Sequence, residues 1–439
     1  MNDKSRKFLI GMLTLIIAIS LCITPLAAGD WTTFQGNIKH TGYNAGESDA
    51  VVKVWSMNLE KGAISSSPVI YDNLLYVITE EGILKVIDIS EEKVQWTFDF
   101  GDKVVASPII KDDILYVGDC DGDFYALNIS SDLKDDDHDT IWEANLPDAI
   151  KSTAILQDGK VYFGCDDGYV YAYDNNGKQL WKYDFDEEVQ SSPIIAEDTL
   201  YIGASNGKLA ALDLNGREKW TYTTADKIVS SPAYYDDAVF VGSADGNLYC
   251  INSQDGSLKW NANMENKVIS SPMIDSHDNS VYVGSDSGNI TCFDLRDGTF
   301  KWSYQAGAEV QSTPALYKDE IVVNSNDGNT YVLNKYTGNV DFTFNPGCYL
   351  FNSKITASPV IYGDDLFIAD EAGYLHSIDL NKQETPVTNF LYYDIIVLIV
   401  IILVIGVIVK VAKKKSNDKA KKIKKSKDKK SKKEILDEI

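Results

Sequence analysis

Residues 191–222 read SSPIIAEDTLYIGASNGKLAALDLNGREKWTY, and residues 230–262 read SSPAYYDDAVFVGSADGNLYCINSQDGSLKWNA. The two lines are one phrase: Ser-Pro, a short apolar run, an acidic turn, an LYIG-like run, a Gly turn, an alternating run and a Trp. Carried outward in both directions, the phrase occurs eight times. Its opening dipeptide stands at Ser67-Pro68, Ser107-Pro108, Ser152-Thr153, Ser192-Pro193, Ser231-Pro232, Ser271-Pro272, Thr313-Pro314 and Ser358-Pro359, 39 to 45 residues apart. A period of about 40 residues whose apolar positions alternate between punctuating turns is that of propeller blades, not of helical repeats.

Each copy supplies four strands. Strand A follows the Ser-Pro, strand B is the LYVG-like segment, strand C the LYALD-like segment, and strand D ends on an aromatic. The Asp-Asp, Asp-Gly and Asn-Gly pairs between them tolerate φ > 0 and so suit tight hairpins. The strand D aromatics are Trp55, Trp96, Trp142, Trp181, Trp220, Trp260, Trp302 and Phe342. Trp55 precedes every strand A, while the last A–B–C set, residues 358–380, has no strand D after it. Pairing residues 51–59 with that set closes the ring and leaves no long sheet edge exposed. The expected fold is all-β, an eight-bladed β-propeller over residues 51–381.

The phrase resembles the pyrroloquinoline-quinone (PQQ) enzyme-like repeat with its docking pattern A-x-D-x-x-T-G-x-x-x-W. Here that pattern stands as Cys292-Phe293-Asp294-Leu295-Arg296-Asp297-Gly298-Thr299-Phe300-Lys301-Trp302 and in similar form in most other copies. The resemblance implies a PQQ-like, quinoprotein-type propeller in which a girdle of Trp55, Trp96, Trp142, Trp181, Trp220, Trp260 and Trp302 packs blade on blade. It implies a fold and no activity. Residues 30–50, with Trp31, Phe34, Gly36, Asn37, His40, Thr41, Gly42, Tyr43 and Asn44, resemble the lead-in of many exported members. Quinoprotein dehydrogenases of this superfamily hold PQQ over a Trp floor beside a Ca²⁺ site of Glu, Asn and Asp, commonly with a disulfide between adjacent Cys residues. This sequence has no Cys-Cys pair, no unique Glu, Asn and Asp set among its Asp-rich loops, and none of the long insertions that build the enzymes' pocket. The expectation is therefore no PQQ and no enzymatic activity.

The ends of the chain read differently from its body. Residues 1–29 have a basic start (Lys4, Arg6, Lys7), an apolar run from Phe8 to Ile23 and the small residues Ala27, Ala28 and Gly29, the layout of a secretory signal peptide. Cys22 follows Leu21, not the small residue that a lipoprotein signal needs. Residues 390–411 hold an apolar run long enough to cross a hydrocarbon core of about 30 Å as one transmembrane helix. The Lys-rich tail, 412–439, stays in the cytoplasm by the positive-inside rule, which puts the propeller outside. A lipid-anchor signal would end in its apolar tail, not in a hydrophilic one.

The net charge of −24 conceals this polarity: residues 410–439 carry 14 Lys against 5 acidic residues, residues 1–29 carry 3 basic against 1 acidic, and the body between carries −35. Such a body repels nucleic acid and anionic lipid, and a nucleic-acid role is excluded on that ground. Residues 416–433, past what topology requires, are expected to lie along the inner lipid surface.

Few residues suggest chemistry. Asp135, Asp137 and Asp139 alternate as in a Ca²⁺ loop, with Glu143 beyond, but Thr140 stands where such a loop wants Gly and no Glu follows at the twelfth position. A solvated acidic loop is the plainer reading, with Ca²⁺ as its alternative. Aspartates and glutamates crowd the D–A turns (Asp102, Asp148, Glu187, Glu188, Asp226, Glu265, Glu309), but also the A–B turns opposite, so turn chemistry explains them before a cation site does. Comparing columns two residues before the Pro68 position gives Ser66, Ala106, Lys151, Ser191, Ser230, Ser270, Ser312 and Ala357. Lys151 thus places one ammonium near the axial channel, where it meets an anionic ligand or pairs with Asp148. Cys120 and Cys165 fall in B–C turns of neighbouring blades and offer a bridge, whereas Cys250 and Cys292 replace the small residues Ala126, Ala172 and Ala211. The sequons at Asn128 and Asn289 permit N-glycosylation outside the membrane.

The function these features support is non-catalytic: a membrane-anchored extracellular propeller that binds or scaffolds an envelope protein or surface glycan. The alternative is a quinoprotein-type or metal-dependent oxidoreductase.

Overall fold

The computed structural model describes residues 55–60, 62–130, 139–346 and 353–381. Segments 1–29, 30–50, 390–411 and 412–439 lie outside the described residues, as do Asp135, Asp137 and Cys348. Eight four-stranded antiparallel sheets form, each a meander in which A pairs with B, B with C and C with D. Blades 1 to 7 span residues 69–99, 109–145, 155–184, 194–223, 233–263, 273–305 and 315–344. Blade 8 joins Val360–Tyr362, Asp365–Ala369 and Tyr374–Asp379 to Trp55–Asn58, with Trp55 opposite Ser377 and Asn58 opposite Tyr374. The N-terminal strand closes the ring as the sequence requires.

The A–B hairpins are tight because two successive residues take positive φ, 50° and 59° at Asp72 and Asn73 and 47° and 58° at Asp236 and Asp237. That backbone twist matches the strands it joins. Strands B and C are buried on both faces, since each sheet packs against its two neighbours. One cluster, for example, unites Tyr162 and Val170 of blade 3 with Leu200 and Ile202 of blade 4. D–A loops and B–C turns form one face of the ring, and A–B and C–D turns form the other.

The Trp girdle works as a joint with two parts. Trp142, Trp181, Trp220, Trp260 and Trp302 donate their indole N–H to the carbonyls of Asn175, Leu214, Ser253, Leu295 and Lys335 in the following blade, at 2.8–3.1 Å. A glycine two or three residues beyond each carbonyl receives the ring face. At Gly298 (φ +70°) a Cβ would lie 2.6 Å from Trp260, and Gly177, Gly216, Gly256 and Gly338 are placed alike. Within its own blade each Trp faces a small strand C residue, Ala126, Ala172, Ala211, Cys250 or Cys292. The two cysteines are therefore space-fillers beneath indoles, as their column suggested.

A second seam column decides how full each interface is. Two residues past the strand D aromatic, one side chain meets, in the next blade, the strand C residue just before the one opposite that blade's own aromatic. At the 4/5 seam these are Tyr222 and Tyr249, ring centroids 5.7 Å apart, and at the 6/7 seam Tyr304 and Tyr331, 5.2 Å apart. The 7/8 seam has Phe344 and His376, and the 8/1, 1/2, 2/3 and 3/4 seams have Met57/Lys85, Phe98/Tyr125, Ala144/Tyr171 and Tyr183/Ala210. Only the 5/6 seam is small at both positions, Ala262 and Thr291.

Candidate functional site

Neighbouring strands A meet at the axis, where the serine of each Ser-Pro is not decoration. At seven of the eight seams the backbone N–H donates to the hydroxyl of the next blade, running from Ser67 to Ser107, Thr153, Ser192, Ser231 and Ser271, then from Thr313 to Ser358 and from Ser358 back to Ser67, at 2.9–3.1 Å. This ring corrects the register of the third copy. Thr153, not Ser152, holds the serine position, and Ala154 stands where the others have Pro. Without a proline to mark it, the adjacent Ser152 matched equally well.

The shift moves Lys151. The column two residues before the Pro position is Ser66, Ala106, Ser152, Ser191, Ser230, Ser270, Ser312 and Ala357, small and buried throughout. Its hydroxyls stitch strand A to strand B, as where Gly164, Gly203 and Gly242 donate to Ser152, Ser191 and Ser230. Lys151 belongs one step outward, with Ser65, Val105, Gln190, Val229, Ile269, Gln311 and Thr356, at the mouth on the D–A face. Its ammonium pairs with Asp166 at 2.5 Å, not with Asp148. Asp148 instead accepts the N–H of Ala149 at its carboxylate and the Cys165 thiol at its backbone carbonyl, 3.2 Å away.

The mouth is a set of cross-seam pairs. Lys103 of the loop into blade 2 meets Glu80 of blade 1 at 2.6 Å; Gln190 donates to Asp166 of blade 3 at 3.3 Å, and Gln311 to Asp286 of blade 6 at 2.9 Å. The hydrogen bond to Asp166 raises the pKa of Lys151, and that to Glu80 raises the pKa of Lys103. Burial opposes ionisation of Glu80, yet its bonds to Lys103 and Ser65 hold it below the ordinary carboxylate value. Cys120 stands near both lysines, but burial outweighs them and pushes its thiol up. Burial likewise drives Cys165 and Cys250 to about 12 and Cys292 to about 11. All four described cysteines are free thiols, and none has the depressed pKa of an activated nucleophile. At the mouth Asp166 Oδ1, Asn326 Oδ1 and Thr356 Oγ1 are buried without a partner among the described residues.

The D–A aspartates serve their own turns, Asp102, Asp148 and Asp226 each accepting the N–H of the next residue at 2.6–2.8 Å. Of the proposed Ca²⁺ ligands, Asp139 and Glu143 are described. The Asp139 carbonyl accepts the N–H of Asn128, and the exposed Glu143 carboxylate accepts Asn145 Nδ2 at 2.8 Å. Among the described residues no group of three or more His, Cys, Asp and Glu is arranged to hold a metal. Asn128 ends strand C of blade 2, and Asn289 begins strand C of blade 6. Each described tryptophan lies in a strand D.

An eight-bladed ring with Ser-Pro at its hub and Trp–Gly joints at its rim defines a PQQ-like β-propeller. The family model described as outer membrane protein assembly factor BamB matches residues 52–135, 131–273 and 263–385, and the chain belongs to that family. Among solved structures, BamB from Moraxella catarrhalis is similar with a TM-score of 0.62 at 17% identity, over 74% of this chain and 99% of that one. The quinohemoprotein alcohol dehydrogenase from Comamonas testosteroni gives 0.66 at 14% identity, over 79% and 80%. The computationally designed Ika8 protein gives 0.64 at 18%, over 73% and 98%. At these identities the likeness is one of fold. A search of curated proteins finds no match.

Proposed function

We propose that this chain is a non-catalytic β-propeller, anchored by one transmembrane helix at 390–411, that binds or scaffolds a protein or surface glycan of the cell envelope from outside the membrane. One observation carries the reading. Trp55–Asn58 begins, and Tyr374–Asp379 ends, at the same face of the ring, because the two strands pair antiparallel in blade 8. The mouth on the other face is clear of these strands and keeps Asp166 Oδ1, Asn326 Oδ1 and Thr356 Oγ1 without partners among the described residues, groups that favour a bound polar partner. The family supports a protein partner, since BamB is described as an assembly factor.

The oxidoreductase alternative rests on fold likeness to quinoprotein enzymes. The binding reading is tested in intact cells with a photoreactive residue placed at Glu188 or Lys354 on the mouth face, and at Asp236 on the opposite face. Discrete adducts from the mouth face and none from Asp236 are expected. Absence of any adduct from either face overturns the reading.

A further inference from the structure

The two small residues at the 5/6 seam leave a groove of about 390 Å³ on the rim, within the range of roughly 300–1,000 Å³ typical of small-molecule sites. It lies where the 4/5 and 6/7 seams are filled by tyrosine pairs, and its upper wall is the end of strand D in blade 5 and the start of strand C in blade 6. Its lining runs from Glu265 and Asn289 at the D–A side to Phe293 and Phe300 toward the C–D side, so it opens on the rim.

Its lining is mixed in a particular way. Phe300 is 59% exposed, the most exposed large apolar side chain among the described residues, and stands edge-on to the buried Phe293 with centroids 6.3 Å apart. Around these rings stand the Asn289 carboxamide, the Glu265 carboxylate and the hydroxyls of Thr291 and Ser303, which bond each other at 3.0 Å. Glu265 is held in place by positive φ, 66°, and by its N–H bond to Asn263 Oδ1. An open ring face suits apolar C–H groups, while carboxylate and amide oxygens beside it accept hydroxyl protons. A purely apolar guest leaves those acceptors unpaired, and a purely polar one leaves the rings in water.

We propose that this groove is a saccharide-binding site, taking one or two sugar rings with their C–H face on Phe300 and their hydroxyls on Glu265 and Asn289. This rests on the binding-module reading and gives it a ligand class and a place. The cavity lies where Ala262 and Thr291 are small and the 4/5 and 6/7 seams hold tyrosine pairs, so a tyrosine pair placed here fills it.

The test uses the full-length protein in detergent and saturation-transfer NMR with methyl β-glucoside, methyl β-galactoside and N-acetylglucosamine, plus p-cresol as the side chain of tyrosine. At least one sugar is expected to receive saturation from the wild type. Its affinity falls by about tenfold or more in Ala262→Tyr/Thr291→Tyr and in Phe300→Ser. The double variant keeps its melting temperature, and Phe300→Ser, altering an exposed position, keeps the test valid if it does not. Sugar signals that are absent, or equal in the wild type and both variants, overturn the proposal. Binding of p-cresol alone, lost on refilling, also overturns it and assigns the groove to an aromatic side chain of a protein partner. The binding-module reading survives either result and fails separately, on the cross-linking.

Discussion

The seams from blade 2 to blade 7 and those from blade 7 through blade 8 to blade 2 are fastened differently. In the first arc all five seams carry the complete joint of indole, carbonyl and glycine. In the second, Phe342 has no N–H to give at the 7/8 seam. At the 8/1 seam Trp55 faces a turn with Glu92 at the glycine position (φ 57°), and its buried Nε1 has no partner among the described residues. The turn opposite Trp96 lies within residues 131–138, outside the described residues. This arc relies instead on tyrosines at the ends of strands A, each reaching the next blade's A–B turn. Tyr317 donates to Asp364 at 2.6 Å, Tyr362 to Asn73 at 2.6 Å and Tyr71 to Asp113 at 2.9 Å. Ser56 adds a bond to the buried His376 at 2.8 Å, tying the closing strand to blade 8. The joint is thus a module: it works where both partners are present, and a different clasp serves where the chain begins and ends.

The largest effect should follow from removing residues 51–59. Blade 8 then exposes the full edge of Tyr374–Asp379, and the expected outcome is aggregation, read by size-exclusion chromatography. A monomer with unchanged melting contradicts closure by this strand.

Next is Lys335, whose side chain is 8% exposed and whose ammonium lies within 2.7–3.2 Å of Asp275, Asp278 and Asp319 at the 6/7 seam. Lys335→Met leaves the buried Asp275 carboxylate without its cation, and a loss of about 3 kcal/mol in denaturant unfolding is expected. The bond to Lys335 lowers the pKa of Asp278 beneath its ordinary 3.8. That contribution is present above the unfolded carboxylate pKa and is lost as pH falls through the folded one. The gap between wild type and variant should therefore narrow below about pH 4. A gap constant down to pH 3 breaks the argument.

Gly298→Ala places a Cβ against Trp260 at positive φ and should cost about 2 kcal/mol, whereas Glu92→Gly, relieving a non-glycine residue at φ 57°, should stabilise by about 1 kcal/mol. Equal signs for the two erase the difference between the arcs. The smallest contrast is Trp260→Phe against Trp55→Phe: about 1 kcal/mol for losing the bond to Leu295, and less where the indole N–H is unpaired.

The blades, their strands and the closing segment were legible because Ser-Pro, the turn aspartates and Trp each mark a backbone event. The register of blade 3 was not, since Ala154 lacks the proline that marks the column, and that one-residue shift made Lys151 look like an intruder in a small column. The groove at the 5/6 seam is not legible in the sequence either. Ala262 and Thr291 carry no chemical signal of their own, and only side-by-side comparison of two columns on different strands reveals that both rings are missing. The serine ring was visible as a motif, but its hydrogen bonds cross between copies and do not show along the chain.

The central claim is that this propeller binds without catalysing. Adding PQQ and Ca²⁺ to the full-length protein in detergent, then following cofactor absorbance and dye reduction with an alcohol, tests it most directly. The account predicts no stoichiometric uptake and no dye reduction above the protein-free control; stoichiometric binding with alcohol-dependent reduction would contradict it.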